Sequence, residues 1–121
     1  MVANLTPTTF VMKQGTTWPP LATVLSDGAG HTVDLTDVAL VLIHVRDTAT
    51  QTVVLNAEAE VVAAAEGPEE FPCIVRYTWT DVQSWTTGVY EGEWWVVWND
   101  GNIESFPNDG YFLMQIVAAL V

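Results

Sequence analysis

Short runs of β-branched and aromatic residues recur along this chain, and residues that favour turns separate them. Val38 to Arg46 is apolar at nearly every position, as expected for a central strand that is covered on both faces or that faces a partner. Gly88 to Trp98 is the longest candidate strand, and the Asp100-Gly101 pair after it favours a type I′ hairpin turn. This spacing of strands and turns predicts an all-β sandwich or barrel.

The remaining runs extend the same pattern. Ala22 to Leu25 and His31 to Leu35 flank a glycine-containing turn and predict a hairpin. Gln51 to Val62 alternates alanine or valine with glutamate in its second half, which favours a strand, although these residue types also suit a helix. Further strands are expected over Cys73 to Trp79, Ile103 to Phe106 and Tyr111 to Leu120. The sequence thus predicts an antiparallel β-sandwich of seven or eight strands, with one short helical turn at residues 80–84.

Length and charge narrow the class of protein. The 121 residues have room for a single core, so we expect one domain over residues 1–121, with an N-terminal arm at 1–9. The single Cys73 cannot form a disulfide within the chain. Fifteen carboxylates against three cations give a net charge of -12, which disfavours nucleic acid and anionic membranes as partners. No spanning segment or signal peptide is visible, so we expect synthesis in a cytoplasm.

Residues that catalysis or metal binding would need are sparse. The two histidines, His31 and His44, have no Ser, Cys or Thr beside them in a nucleophile-elbow context. One cysteine and two histidines cannot supply the four ligands of structural zinc, and the acidic segment 99–104 lacks the spacing of an EF-hand loop. Glu91 and Glu93 share a strand face and are expected to form a solvated edge row. We therefore predict a protein that is not an enzyme and that uses no cofactor or metal.

The segment Tyr90 to Trp98 carries tryptophan on both faces of its strand. A period of two places Trp94 on one face, and places Trp95 and Val97 on the other face beside two glutamates. Apolar patches with a charged rim mark contact sites, and tryptophan is enriched among binding hot spots. We predict that Trp95 and Val97 form a protein-interaction surface.

Two further tryptophans are weaker candidates for protein contact, and Trp95 itself has an alternative interpretation. Trp18 and Trp85 lie next to turn residues and are weaker candidates for the same kind of contact. Alternatively, a loop of the same chain, such as Glu66 to Phe71 or the N-terminal arm, covers Trp95. In that case the indole would belong to the protein's own packing.

Several segments resemble a known family when they are taken together. They are Phe10 to Leu21 with Thr23 to Asp27 and Val33 to Thr36, then Val75 to Trp79 with Asp81, Gly88 to Tyr90 and Glu93-Trp94, and finally Asp100-Gly101 with Ser105 to Tyr111. This combination resembles the N-terminal domain of phage baseplate upper proteins, over about Phe10 to Ile116. The chain departs from that pattern at Thr16, where the family usually has an acidic residue, and at Trp95 and Val97, where it has polar residues.

The resemblance implies an immunoglobulin-like β-sandwich in a tailed-phage virion, used for attachment rather than catalysis. We therefore expect a small adaptor or decoration module at the tail or baseplate or on the capsid exterior, assembled in the host cytoplasm. Its expected partners are other virion proteins and copies of itself, and small-molecule ligands are not expected. The apolar end, Met114 to Val121, is expected to be an ordered strand that can add to a neighbouring chain.

The alternative function is a carbohydrate-binding module. In it, exposed tryptophans stack on sugar rings, and Glu91 and Glu93 accept hydrogen bonds from hydroxyls. Such a platform requires two coplanar exposed aromatic rings, which a structure would reveal.

Overall fold

The computed structural model of the chain describes residues 9–17, 20–63, 72–80, 85–107 and 110–118. These residues form eight strands and no helix: β1 (Thr9–Lys13), β2 (Leu21–Val24), β3 (Val38–Asp47), β4 (Val53–Ala63), β5 (Pro72–Tyr77), β6 (Gly88–Trp98), β7 (Ile103–Phe106) and β8 (Phe112–Val117). No helix long and apolar enough to cross a membrane occurs in this described part of the chain. The predicted helical turn and most of the N-terminal arm lie outside it.

The strands form two layers that share one strand. Their order is β1-β8-β6-β3-β4-β5-β2, and β7 pairs with β6 beside β8. The first part of β4 pairs with β3, whereas its end, from Glu60 onward, pairs with β5. We call the layer of β1, β8, β6, β7, β3 and the first part of β4 the front sheet, and the layer of the end of β4, β5 and β2 the back sheet. The fold is an all-β, immunoglobulin-like sandwich, as the sequence predicts.

One strand pair corrects the prediction of a wholly antiparallel sandwich. β1 runs parallel to β8, with Thr9 opposite Leu113 and Lys13 opposite Val117, while the other pairs are antiparallel. Parallel neighbours need a long connection, and here nearly the whole described chain separates the two strands. Because β8 is paired on both sides, by β6 and β1, its backbone is not available for addition to a neighbouring chain.

The core lies between the two sheets and is built from alternate residues of each strand. Val41, Ile43 and Val45 of β3 are fully buried, which confirms the prediction of a central strand. Cys73 and Val75 of β5 are buried in the same way. Alternation of this kind buries one face of each strand and leaves the other face of the front sheet directed away from the core.

An aromatic cluster fills one end of the core. The rings of Trp79 and Trp85 lie 5.7 Å apart, and Trp85 and Tyr90 lie 5.2 Å apart. The buried Tyr90 hydroxyl donates a hydrogen bond of 2.6 Å to the carbonyl oxygen of Thr86. A tyrosine that bonds the backbone a few residues upstream is a recurring feature of immunoglobulin-like sandwiches, where it fixes the entry to a central strand.

Two local predictions at the turns need correction. The segments 22–25 and 31–35 do not pair along their length, because β2 pairs with β5. The hairpin is reduced to the bridge of Ser26 with Thr32, flanked by bonds from the Val33 N–H to the Leu25 carbonyl and from the Asp27 N–H to the His31 carbonyl. The backbone of the buried Leu35 instead donates to the carbonyl of Pro72, which draws this segment towards β5. Within the turn 99–102 after β6, only Gly101 has a positive φ, and its N–H donates to the carbonyl of Trp98. That geometry is a type I turn with a glycine bulge rather than a type I′ turn.

Candidate functional site

Strand β6 separates its two adjacent tryptophans onto opposite faces of the front sheet. Trp94 points into the core and is 2 % exposed, as is expected from the period of two. Trp95 and Val97 point away from the core and are half-buried. The face that carries them is the outer face of the front sheet, the side turned away from the back sheet.

Neighbouring strands extend these two residues into a continuous apolar surface. On β3, Leu42 lies opposite Trp95 and Leu40 lies opposite Val97. On β7, Ile103 lies opposite Val97 and is 56 % exposed. We call these five residues the apolar patch. Sequence reasoning missed the three residues outside β6, although the unbroken apolar run of β3 already indicated that its second face needs a cover.

Hydrogen bonds and ring contacts hold Trp95 in place at the edge of the apolar patch. Its indole Nε1 donates to Oε1 of Glu93 at 2.7 Å. The ring also meets His44 edge-on, with centroids 4.7 Å apart. Glu58 of β4 lies opposite Leu42 and borders the patch on its other side. The patch therefore has an ordered indole at its edge and a rim of carboxylates.

A charged pair occupies the next row of the same face. Arg46 of β3 lies directly opposite Glu91 of β6, and its Nε donates to Oε1 of Glu91 at 2.9 Å. The Nη2 group contacts the same oxygen. This hydrogen bonding raises the pKa of Arg46, and Tyr111, whose ring centroid lies 5.2 Å from the guanidinium carbon, contributes less. The expected solvated edge row is therefore wrong for these glutamates, because β6 is a central strand and both carboxylates have partners.

Between the charged pair and Trp95 lies an open cleft of about 260 Å³. Its lining includes His44, Asn56, Glu93, Trp95 and Tyr111, together with the Arg46–Glu91 pair. Three strands, β3, β4 and β6, and the residue preceding β8 contribute these side chains through their register, which sequence spacing alone does not reveal. The cleft combines two aromatic rings with fixed polar groups.

The two weaker candidates do not join this surface. Trp85 is 7 % exposed and packs in the core between Trp79 and Tyr90, so its prediction as a contact residue was wrong. Residues 85–88 lead directly into β6, and this places the Trp85 ring between Trp79 and Tyr90 in the core. Trp18 lies outside the described residues. Both segments proposed as covers for Trp95, the loop 66–71 and residues 1–8 of the arm, lie outside them as well.

The titratable residues of the described ranges include side chains of the types that act as metal ligands. No set of three or more His, Cys, Asp and Glu side chains within them is placed to hold a metal ion. His31 lies in an exposed turn, 3.5 Å from Asp27, and His44 lies in the cleft against Trp95. Cys73 is a buried free thiol.

Comparison with protein-family models and with curated protein sequences found no match. Among solved structures, the crystal structure of CopC from Methylosinus trichosporium OB3b is similar, with a TM-score of 0.54. The likeness covers 93 % of this chain and 87 % of that chain at 13 % sequence identity. At this identity, the comparison shows a shared all-β fold.

Proposed function

We propose that this chain is a non-enzymatic structural protein of a tailed-phage virion, a small adaptor or decoration module at the tail or baseplate or on the capsid exterior. It docks on another virion protein through the apolar patch. The observation that carries this proposal is the continuous outer surface that Trp95 and Val97 form with Leu40, Leu42 and Ile103.

The patch has the composition of an interface centre. Docking would remove from water an indole and four branched aliphatic side chains, which is the kind of apolar burial that drives association. The indole is already fixed by Glu93 and His44, so its contact with a partner costs little additional ordering. A partner can therefore dock on a surface whose shape is already fixed in the free protein.

Charge favours a partner of different composition for this face. The chain carries -12 overall, and Glu58 and Glu93 border the patch. Two copies joined face to face would bring these carboxylates together, whereas a basic rim on another virion protein would complement them. Several copies of the chain would then be arranged around the particle by that common partner.

The particle itself is inferred from the resemblance of the sequence to the N-terminal domain of baseplate upper proteins. The likeness to CopC contributes the fold only. An adaptor of this kind needs a rigid body and a docking face, and a sandwich with a packed core supplies the first of these.

A matched pair of substitutions on β6 tests the proposal. Val97→Asp places a charge in the apolar patch, and we expect it to fold normally and to reduce incorporation into particles by at least about tenfold. Val89→Asp is the control, because Val89 is 43 % exposed and lies on the same face of the same strand, beyond the Arg46–Glu91 row. Normal incorporation of Val97→Asp, or equal loss with Val89→Asp, would contradict the proposal.

The sugar-stacking platform considered as the alternative receives less support. Of the five described tryptophans, Trp79, Trp85 and Trp94 are buried in the core. Trp98 is half-buried and donates its indole N–H to Glu104 at 2.9 Å. The described residues therefore lack the pair of coplanar exposed tryptophans that a flat platform requires.

A further inference from the structure

We propose that the cleft beside the apolar patch is a binding site for a single neutral sugar ring. This site shares Trp95 with the apolar patch, but it does not depend on the docking proposal. It narrows the carbohydrate alternative to a single ring in a cleft, and it departs from the expectation that small molecules are not ligands of this chain. The proposal rests on the size of the cleft, its two aromatic rings and the polar groups that remain unused there.

The size of the cleft suits a small ligand. Its volume of about 260 Å³ lies just below the roughly 300–1,000 Å³ that is usual for drug-sized ligands. A pyranose ring with about a dozen non-hydrogen atoms is a ligand of this smaller class. The cleft therefore suits one ring, in contrast to the extended sugar chain that a flat platform would hold.

Aromatic side chains supply the apolar part of the site. Trp95 is held by its hydrogen bond to Glu93 and its edge contact with His44. Tyr111 is 41 % exposed, and the Arg46 guanidinium lies over its ring. The C–H face of a sugar is apolar while its rim of hydroxyls is polar, so it matches rings that are themselves bordered by polar groups.

The polar groups have hydrogen-bonding capacity left over. Nε and Nη2 of Arg46 both bond Oε1 of Glu91, which leaves Oε2 of that carboxylate. Glu93 uses one oxygen for the indole and keeps the other, and the amide of Asn56 is exposed. Adjacent sugar hydroxyls can donate to such carboxylates and accept from such N–H groups.

These unused groups are reached by water in the free protein. Among the described residues, no buried side-chain nitrogen or oxygen lacks a hydrogen-bond partner. Hydroxyls can therefore replace water at the cleft without leaving a buried polar group unpaired. An anionic ligand is disfavoured because it would meet Glu91 and Glu93, while the one cation of the lining, Arg46, is already paired with Glu91.

The test uses the six indole N–H signals of the chain in a two-dimensional ¹H–¹⁵N spectrum. The Trp95 signal is assigned with Trp95→Phe, and the probes are the methyl glycosides of glucose, galactose, mannose and N-acetylglucosamine. At least one glycoside should shift the Trp95 signal in a saturable way, with a Kd of about 1–10 mM. The signals of the buried Trp79 and Trp94 should stay in place.

Two substitutions on β4 make the test specific. Asn56→Ala should weaken binding roughly five- to tenfold, since it removes a hydrogen-bonding group of the cleft. Glu58→Ala should bind as the unaltered chain does, because Glu58 lies on the same face of the same strand but is not among the lining residues.

Three results would overturn the proposal. One is the absence of a saturable shift with any of the four glycosides. Another is an equal shift with glycerol or with methylammonium, which would indicate a general polyol or cation effect. The third is unchanged affinity in Asn56→Ala. None of these results bears on the incorporation of Val97→Asp into particles, so the two proposals can fail separately.

Discussion

Gly92 of β6 and Phe112 of β8 lie opposite each other so closely that the ring occupies the space of a side chain at position 92. A Cβ atom on Gly92 would lie 2.3 Å from Cζ of Phe112 and 2.9 Å from the carbonyl oxygen of His44. The same ring packs against Trp94, with centroids 5.9 Å apart. An aromatic ring over a strand glycine thus closes the sheet where β8 joins β6.

The first prediction concerns this glycine. Gly92→Ala should lower the free energy of unfolding by about 1–3 kcal/mol, because either the Phe112 ring or the β3 backbone must shift. Urea unfolding measures the loss. In a Phe112→Leu background, the same alanine should cost less, since the ring contact is gone and only the His44 carbonyl remains. A wild-type urea midpoint for Gly92→Ala would contradict the described packing.

The adjacent tryptophans of β6 should respond very differently to truncation. Trp94→Ala leaves a cavity in the core and should cost about 3–5 kcal/mol. Trp95→Ala removes a half-buried ring from the outer face and should cost about 1–2 kcal/mol. Trp95→Asp should likewise remain folded as a monomer. Urea unfolding measures both losses, and they are comparable when the free energy of unfolding depends equally on urea concentration in the two variants. Equal losses at the two positions would show that the faces of β6 are assigned wrongly.

The hydroxyl of Tyr90 should contribute measurably to stability. Tyr90→Phe keeps the ring but removes the donor to the carbonyl of Thr86, and we expect a loss of about 1–2 kcal/mol. Tyr77→Phe is the matched control, because Tyr77 is half-buried and contacts Trp79 through its ring. Thermal unfolding gives the melting temperature of each variant. Equal melting temperatures would show that the Tyr90 hydrogen bond does not contribute to stability.

The turn at Asp27 should show a defined pH dependence. Oδ1 of Asp27 accepts hydrogen bonds from the backbone N–H groups of Ala29 and His31, each at 2.9 Å. The bond from the His31 backbone is the largest cause that lowers the pKa of Asp27 below its ordinary value. A lowered pKa means that the ionised carboxylate stabilises the turn above its ordinary pKa, and that this contribution is lost as the pH falls through the folded value.

Carboxyl NMR titration of two variants checks the cause. His31→Ala keeps the backbone N–H, so the pKa of Asp27 should stay below its ordinary value, and added salt should change it little. In Asp27→Asn, the part of the pH dependence of the neighbouring amide signals that lies in the carboxyl range should disappear. A return to the ordinary pKa in His31→Ala would instead identify the imidazole charge as the cause.

The sequence predicts individual strands well where one face is continuously apolar. The bounds of β6 were predicted as Gly88 to Trp98 and are observed there. Residues 51–62 were predicted as a strand despite good helix formers, and β4 confirms it, because Ala57 and Ala59 lie opposite Ile43 and Val41 across the β3–β4 pair. In both cases the information is local, since alternation along one strand already separates a packed face from a wet one.

The pairing of strands that are distant in the sequence is much harder to predict from the sequence. Arg46 and Glu91 are 45 positions apart, and only the register of β3 on β6 brings them together. The cleft was missed for the same reason, because it draws on residues from three strands and on Tyr111. Trp85 was misassigned because it lies outside any strand and has no periodic pattern to show which way its ring points.

The parallel pairing of β1 with β8 determines how the module would respond to a stretching force. Thr9, where β1 begins, and Val117, where β8 ends, lie at opposite ends of the strand pair, because the two strands run in the same direction side by side. Pulling on both would slide one strand along the other and load all of their shared hydrogen bonds at once, rather than opening them one after another. A sandwich with this pairing therefore resists a force applied along β1 and β8.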